Sequence, residues 1–173
     1  MPLSMYQASV PVFVQTLEAL SGVLDKSQAH AAARKIDPAV LVAARLAPDM
    51  LPLQRQVLIA CDFARGATAR LAGVEVPASP GEDKTFDDLK AKIKRTVEFV
   101  QSFSASQIDG SEERDVTISV AGKPMTFKGQ PYLVHFVLPN FYFHASIAYA
   151  ILRHNGIELG KRDFMGRVPG MSV

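Results

Sequence analysis

Val57-Leu58-Ile59-Ala60-Cys61-Asp62-Phe63-Ala64 decides the fold class. The run lies within Pro48 to Gly73, where Met50, Leu53, Val57, Ala60, Ala64, Ala67 and Leu71 recur at steps of three and four. Leu58, Ile59 and Phe63 widen that stripe sideways. The period is that of an α-helix with a core-facing side, and an apolar arc this broad places the helix centrally. Gly73 supplies the stop, since glycine accepts the left-handed conformation that ends a helix.

The same period appears on both sides. From Ser4 to Leu24, the residues Tyr6, Val10, Phe13, Leu17, Leu20 and Leu24 fall on one helical face. Pro11 lies inside this stretch, so either the helix bends there or its regular part begins near a Ser9 cap. Asp37-Pro38 pairs a cap with a first-turn proline and predicts a short helix through Arg45. Downstream, the proline- and glycine-bearing stretch Pro77 to Lys84 is a loop. Thr85 and Asp88 then have capping-box spacing, opening a helix with the stripe Phe86, Leu89, Ile93, Val97 and Val100.

After Ser102 the period changes. Val116, Ile118 and Val120 alternate with polar residues, Ala121-Gly122-Lys123-Pro124 interrupts, and Met125 and Phe127 flank Thr126. That pattern is a β-hairpin, which must pack on the helices because two strands are marginal alone. A last helix runs from Gln130-Pro131 to Asn155-Gly156 with a kink expected at Pro139, and residues 157–173 read as an extended arm. The expectation is a mainly α chain, one domain over 1–173. It is built as a four-helix bundle with a small β-hairpin between the third and fourth long helices.

Composition narrows the class. The 173 residues are 48% hydrophobic and 21% charged with a net charge of +2, which is globular and too balanced for a nucleic-acid binder. No run reaches the roughly 18 apolar residues of a membrane span. The opening Met1 to Gln7 lacks the basic and apolar parts of a secretory signal. Cys61 is the only cysteine, so no internal disulfide forms. The expected location is the cytoplasm, with neither nucleic acid nor membrane as partner.

Three polar residues stand out. In the last helix, Asn140 and His144 lie one turn apart on the stripe of Leu133, Phe136 or Val137, Ile147 or Ala148, and Ile151. Buried polar groups need partners, so they are either a hydrogen-bonded pair that fixes register or a metal ligand or general base on the bundle axis. Asp62 is the only charge in its eight-residue apolar run. Arg55 or Arg65 can neutralise it, or it can face His144 and Asn140. That trio offers one carboxylate, one imidazole and one amide oxygen, a weak set beside the three His, Cys or carboxylate ligands usual for zinc. His135 lies across the helix from His144, and the two converge only through a kink at Pro139. His30 and His154 read as structural or solvated. Cys61, buried beside Asp62, reads as core. Phe141-Tyr142-Phe143 covers both sides of its helix, for packing or a subunit face. No Gly-rich phosphate loop, nucleophile elbow or Cys-x-x-Cys pair is present.

Several stretches resemble a bacterial family classed as a domain of unknown function and placed near the DinB/YfiT-like metalloenzymes. They are Leu3-Ser4-Met5-Tyr6, Ala60-Cys61-Asp62, Phe127-Lys128-Gly129, Leu138-Pro139-Asn140-Phe141-Tyr142-Phe143-His144 and Leu159-Gly160-Lys161-Arg162-Asp163-Phe164. The resemblance covers essentially the whole chain. It implies a four-helix bundle, commonly dimeric, with a divalent metal on one histidine of the second helix and two of the last. In some members it implies thiol-dependent transferase or isomerase activity. His144 and Arg153 match the last-helix pattern, whereas Asn140 and Asp62 stand where the other two histidines would fall.

Three functional readings follow. The first is a DinB-like bundle with an altered or lost metal site: His144 as ligand or base, Asp62 as second ligand or orienting group, Asn140 as donor to substrate, and a divalent metal on His144 and Asp62. The second is a non-catalytic, homodimeric binding or scaffold protein, its hairpin and arm making subunit contacts. The third is a small-molecule carrier using a cavity beneath the Pro139 kink.

Overall fold

Pro11 falls in the first turn of the first helix, where its missing N–H costs nothing, and Ser9 holds the cap position. In this computed structural model, which describes residues 3–79, 81 and 83–171, helix α1 spans Val10–Arg34. Of the segments read above, Pro80 and Glu82 of the loop and the chain-end residues 1, 2, 172 and 173 lie outside the described residues. Helix α1 outruns its expected end at Leu24 by ten residues. Its stripe continues through Ser27 and Ala31, residues too small or polar to register as core. Ser27 Oγ is nonetheless satisfied, donating to the Val23 carbonyl at 2.8 Å.

Helix α2 (Pro38–Ala43) is capped by Asp37, whose Oδ1 accepts from Ala39 N at 2.9 Å. Helix α3 covers Leu53–Ala72. It begins later than Pro48 because Pro52 takes the N-cap, and it ends on Gly73 at φ 72°. Helix α4 (Phe86–Gln101) opens with the expected capping box: Asp88 N donates to Thr85 Oγ1 at 3.1 Å and Thr85 N to Asp88 Oδ2 at 2.9 Å. A short α5 (Ala105–Ile108) leads to the antiparallel strands β1 (Asp115–Val120) and β2 (Lys123–Lys128). Val116 pairs with Phe127 and Ile118 with Met125 across a two-residue turn at Ala121-Gly122, both at positive φ as tight hairpin turns require.

The last helix is composite. A single turn, α6 (Gly129–Pro131), runs into a π-helical segment, Tyr132–Val137, and then into α7 (Leu138–His154). The kink expected at Pro139 therefore takes the form of a π turn just before it. Proline cannot donate to the carbonyl four residues back, and the wider turn absorbs the mismatch. Residues 157–173, read as an extended arm, instead carry the helix α8 (Lys161–Met165). Lys26 Nζ holds Asp163 Oδ1 at 2.6 Å and Gln15 Nε2 donates to the Met165 carbonyl at 2.8 Å, so α8 lies along α1.

The long helices α1, α3, α4 and α7 form a four-helix bundle, with α3 packed on both α7 and α4 and α1 on α4. One core cluster unites Phe13, Leu17, Leu53, Phe86, Leu89, Leu133 and Phe141. The hairpin, which precedes the composite helix in sequence, buries Val116 in that core. Among the described residues no helix is long and apolar enough to cross a membrane.

Candidate functional site

Helix α3 divides the polar trio rather than gathering it. Asp62, read as buried and as paired with either Arg55 or Arg65 or else His144, is surface-facing, its side chain 54% exposed, and takes the arginine alternative, with Oδ1 2.8 Å from Arg65 Nη2. Residues 60, 61 and 64 of the same helix are buried, and Asp62 lies nearly opposite them on the helical wheel. Asn140 donates from Nδ2 to the carbonyl of Phe136, 2.7 Å away in its own helix. No hydrogen bond or ion pair joins Asp62, Asn140 and His144 among the described residues. His135 is exposed.

His144 has a partner the sequence reading did not name. Its Nδ1 lies 2.7 Å from Gln56 Oε1, and Gln56 is 1% exposed. The Gln56 amide is oriented by its Nε2, which donates to the Leu51 carbonyl at 3.0 Å. An amide oxygen only accepts, so His144 Nδ1 carries the proton and donates, leaving the Nε2 lone pair free in the neutral ring. Phe63 stacks on the imidazole at 6.1 Å and Phe143 meets it edge-on at 5.2 Å. Gln56 falls three residues after Leu53 and four before Ala60, so the α3 stripe passes through it. A polar residue on that stripe was the available signal.

Burial holds the His144 imidazole below its ordinary value of 6.5. The sign follows. Above about pH 6.5 the ring is neutral folded or unfolded, and its contribution is flat. As pH falls through that value, the unfolded chain binds a proton that the folded ring resists, so stability is lost. A Tm series against pH should find wild type losing more than His144→Gln below pH 6.5. A constant offset between the two at every pH would contradict this.

The metal implied by the resemblance does not fit these residues. Asp62 is engaged by Arg65 and lies away from the bundle interior. The Asn140 amide is turned to its own helix. Among the described residues no three His, Cys, Asp or Glu side chains are grouped to hold a metal ion. Cys61 adds no thiolate, because burial, opposed only in part by a hydrogen bond to Thr96, pushes its thiol up to about 12.

What the fold builds instead is a groove of about 520 Å³ between α3, the hairpin and the π turn. Ile59 and Phe63 from α3, Ile118 from β1 and Phe136 from the π turn form apolar walls. Phe63 and Phe136 are 5.8 Å apart, and Phe127 lies 5.4 Å behind Phe136. Asp62 borders the groove, and its polar end is Arg70 with Tyr132, where Arg70 Nη1 donates to Tyr132 Oη at 3.1 Å. Tyr132 is 1% exposed, and burial raises its phenol despite the nearby guanidinium, so it stays protonated. Gly66 leaves the space that Arg70 uses, since a Cβ there would stand 2.5 Å from Arg70 Nη1. Arg70 has no carboxylate partner among the described residues.

Sequence reasoning missed Arg70 and Tyr132 because each lies in a different element, joined only by the π turn. The turn places the Tyr132 ring toward α3, at the end of the groove.

The sequence model of a family described as "Domain of unknown function (DUF1993)" matches residues 5–165. A crystal structure of a DinB family member protein from Shewanella denitrificans is 35% identical, covers 97% of this chain and 95% of its own, and superposes with a TM-score of 0.86. No curated protein matches the chain.

Proposed function

The chain belongs to the DUF1993 family, domains of unknown function related to the DinB-like bundles, and from that premise we propose that it is a small-molecule-binding protein whose site is the groove between α3, the hairpin and the π turn. The ligand is a small organic anion with an apolar body. The observation that carries this reading is the pairing of apolar walls with one half-buried guanidinium that lacks a carboxylate. Binding sites are mostly apolar with a few placed polar groups, and a guanidinium favours carboxylate or phosphate through charge-assisted hydrogen bonds. Tyr132 Oη accepts from Arg70 and keeps a hydroxyl proton to donate to the same anion.

This is the carrier reading of the composite helix, with the cavity beside the π turn. In it Asp62, Asn140 and His144 serve the scaffold. Asp62 caps Arg65, Asn140 closes on its own helix, and His144 ties α7 to α3 through Gln56. A metal- or thiol-dependent transferase finds no support in the same residues. A bacterial, cytoplasmic homodimer belongs to the proposal as well, its pairing supported by Met125 of the hairpin and Met165 of α8, which stay exposed.

The test uses thermal-shift measurements with sodium phenylacetate and its neutral amide as matched probes. The acid should raise the wild-type Tm more than the amide does, because a ligand that binds only the folded state stabilises it. Arg70→Met should erase that preference, with an unliganded Tm lowered by the loss of the hydrogen bond to buried Tyr132. Equal shifts for acid and amide in wild type, or an undiminished preference in Arg70→Met, would overturn the proposal.

A further inference from the structure

On the other side of α3, between that helix and α4, lies a second cleft of about 280 Å³, edged by the chain at residues 77–79. Arg65 reaches it from α3 and Arg95, Thr96 and Phe99 from α4. Arg65 uses only Nη2, on Asp62 Oδ1 at 2.8 Å. Its Nε and Nη1 are buried and have no hydrogen-bond partner. Those two atoms carry three N–H donors, and buried donors are almost always paired, so the arrangement lacks an acceptor. Arg95 is 58% exposed and holds only a loose 3.7 Å contact with Asp83 Oδ1. The carboxylate it faces is already shared with Lys92, at 3.4 Å. Counting Arg65, Arg95 and Lys92 against Asp62 and Asp83, the cleft keeps an excess of one positive charge.

The loop edge is fixed in place. Lys92 Nζ donates to the Ser79 carbonyl at 3.1 Å, and Gln54 Nε2 donates to the Asp83 carbonyl at 2.8 Å. A rim tied at Ser79, two guanidiniums lining the same cleft and an aromatic wall at Phe99 together suit an anion. We propose that the cleft between α3 and α4 is a second ligand site, one that binds a small oxyanion of the phosphate class through Arg65 and Arg95. It is separated from the Arg70 groove by α3 and stands whether or not that groove binds a ligand. The volume admits a phosphate and a small substituent rather than a nucleotide-sized body.

The experiment is titration of the full chain with inorganic phosphate, followed calorimetrically at low salt, with chloride as the control anion. Wild type should show saturable binding that weakens as salt rises. Arg95→Met, an exposed position whose loss spares the core, should weaken it about tenfold or more, the size of one charge-assisted hydrogen bond. Arg65→Lys, which keeps the charge but loses the planar donor set, should weaken it as well. Arg153→Met, an exposed arginine of α7 that borders neither cleft, should bind phosphate as wild type does, which separates this site from a general effect of charge. Absence of saturable binding by folded wild type would overturn the proposal. So would phosphate affinity unchanged in both Arg95→Met and Arg65→Lys.

Discussion

Asp83→Ala is expected to destabilise the protein by about 3–5 kcal/mol, the usual cost of removing one partner of a buried ion pair. Asp83 and Lys92 have side chains 5% and 6% exposed, with Lys92 Nζ 3.4 Å from Asp83 Oδ2. Oδ2 nevertheless has no aligned hydrogen bond, so charge alone holds the contact. Without Asp83, the Lys92 ammonium keeps its bond to the Ser79 carbonyl but loses its counter-charge in a place water does not reach. The measurement is the urea midpoint at constant slope. Asp83 sits at φ 36°, where alanine adds strain of its own, so Asp83→Asn is the control, because asparagine tolerates that backbone. Combining Asp83→Asn with Lys92→Met should recover most of the loss. If Asp83→Ala falls within about 0.5 kcal/mol of wild type, as surface substitutions do, the pair is not holding the loop to α4.

Phe141→Ala is the second large effect, at about 3–5 kcal/mol for an aromatic cut from a packed core. Phe141 is fully buried and meets Phe13 of α1 edge-on, ring centres 5.0 Å apart at 74°. Its loss removes aromatic packing between α7 and α1 and leaves a void the rigid helices fill poorly. Its neighbours provide the internal comparison. Tyr142 and Phe143 are 41% and 53% exposed, so Tyr142→Ser and Phe143→Ser should change stability by about 0.5 kcal/mol or less. Chemical denaturation of the three variants side by side decides it. Comparable losses for all three would mean that Tyr142 and Phe143 are covered, for instance by a second copy of the chain.

The bundle was legible because its stripes are written in large apolar residues at helical spacing. Asp88 three residues after Thr85, and the period-two residues around Ala121-Gly122, were equally readable, since caps and tight turns are local chemistry. The end of α1 was not, because Ser27 and Ala31 carry its stripe in small side chains. Asp62 misled for a related reason. The run from Val57 to Ala64 is apolar on two sides for two causes: Val57, Ala60, Cys61 and Ala64 face the core, while Ile59 and Phe63 face the groove. Read as one buried surface, the run made Asp62 an interior charge, whereas it sits at the groove's edge beside Arg65.

His144 was recognisable as a polar group on an apolar stripe, but its partner lies 88 positions away in sequence and depends on how α3 and α7 are rotated against each other. The same holds for Arg70 and Tyr132, separated by 62 positions and brought together by a π turn that no spacing rule announces. Local propensity writes helices and caps into short windows. Sites assembled from distant elements are set by packing, which a single sequence carries only implicitly.

The proposed ligand site is the groove between α3, the hairpin and the π turn. Isoleucine-methyl NMR on the full chain during titration with sodium phenylacetate tests that directly. The methyl signals of Ile59 and Ile118, which line the groove, should move progressively and saturate, while those of Ile93 and Ile108 in the core stay in place. Saturable movement elsewhere with Ile59 and Ile118 unmoved, or no movement at all, would contradict it.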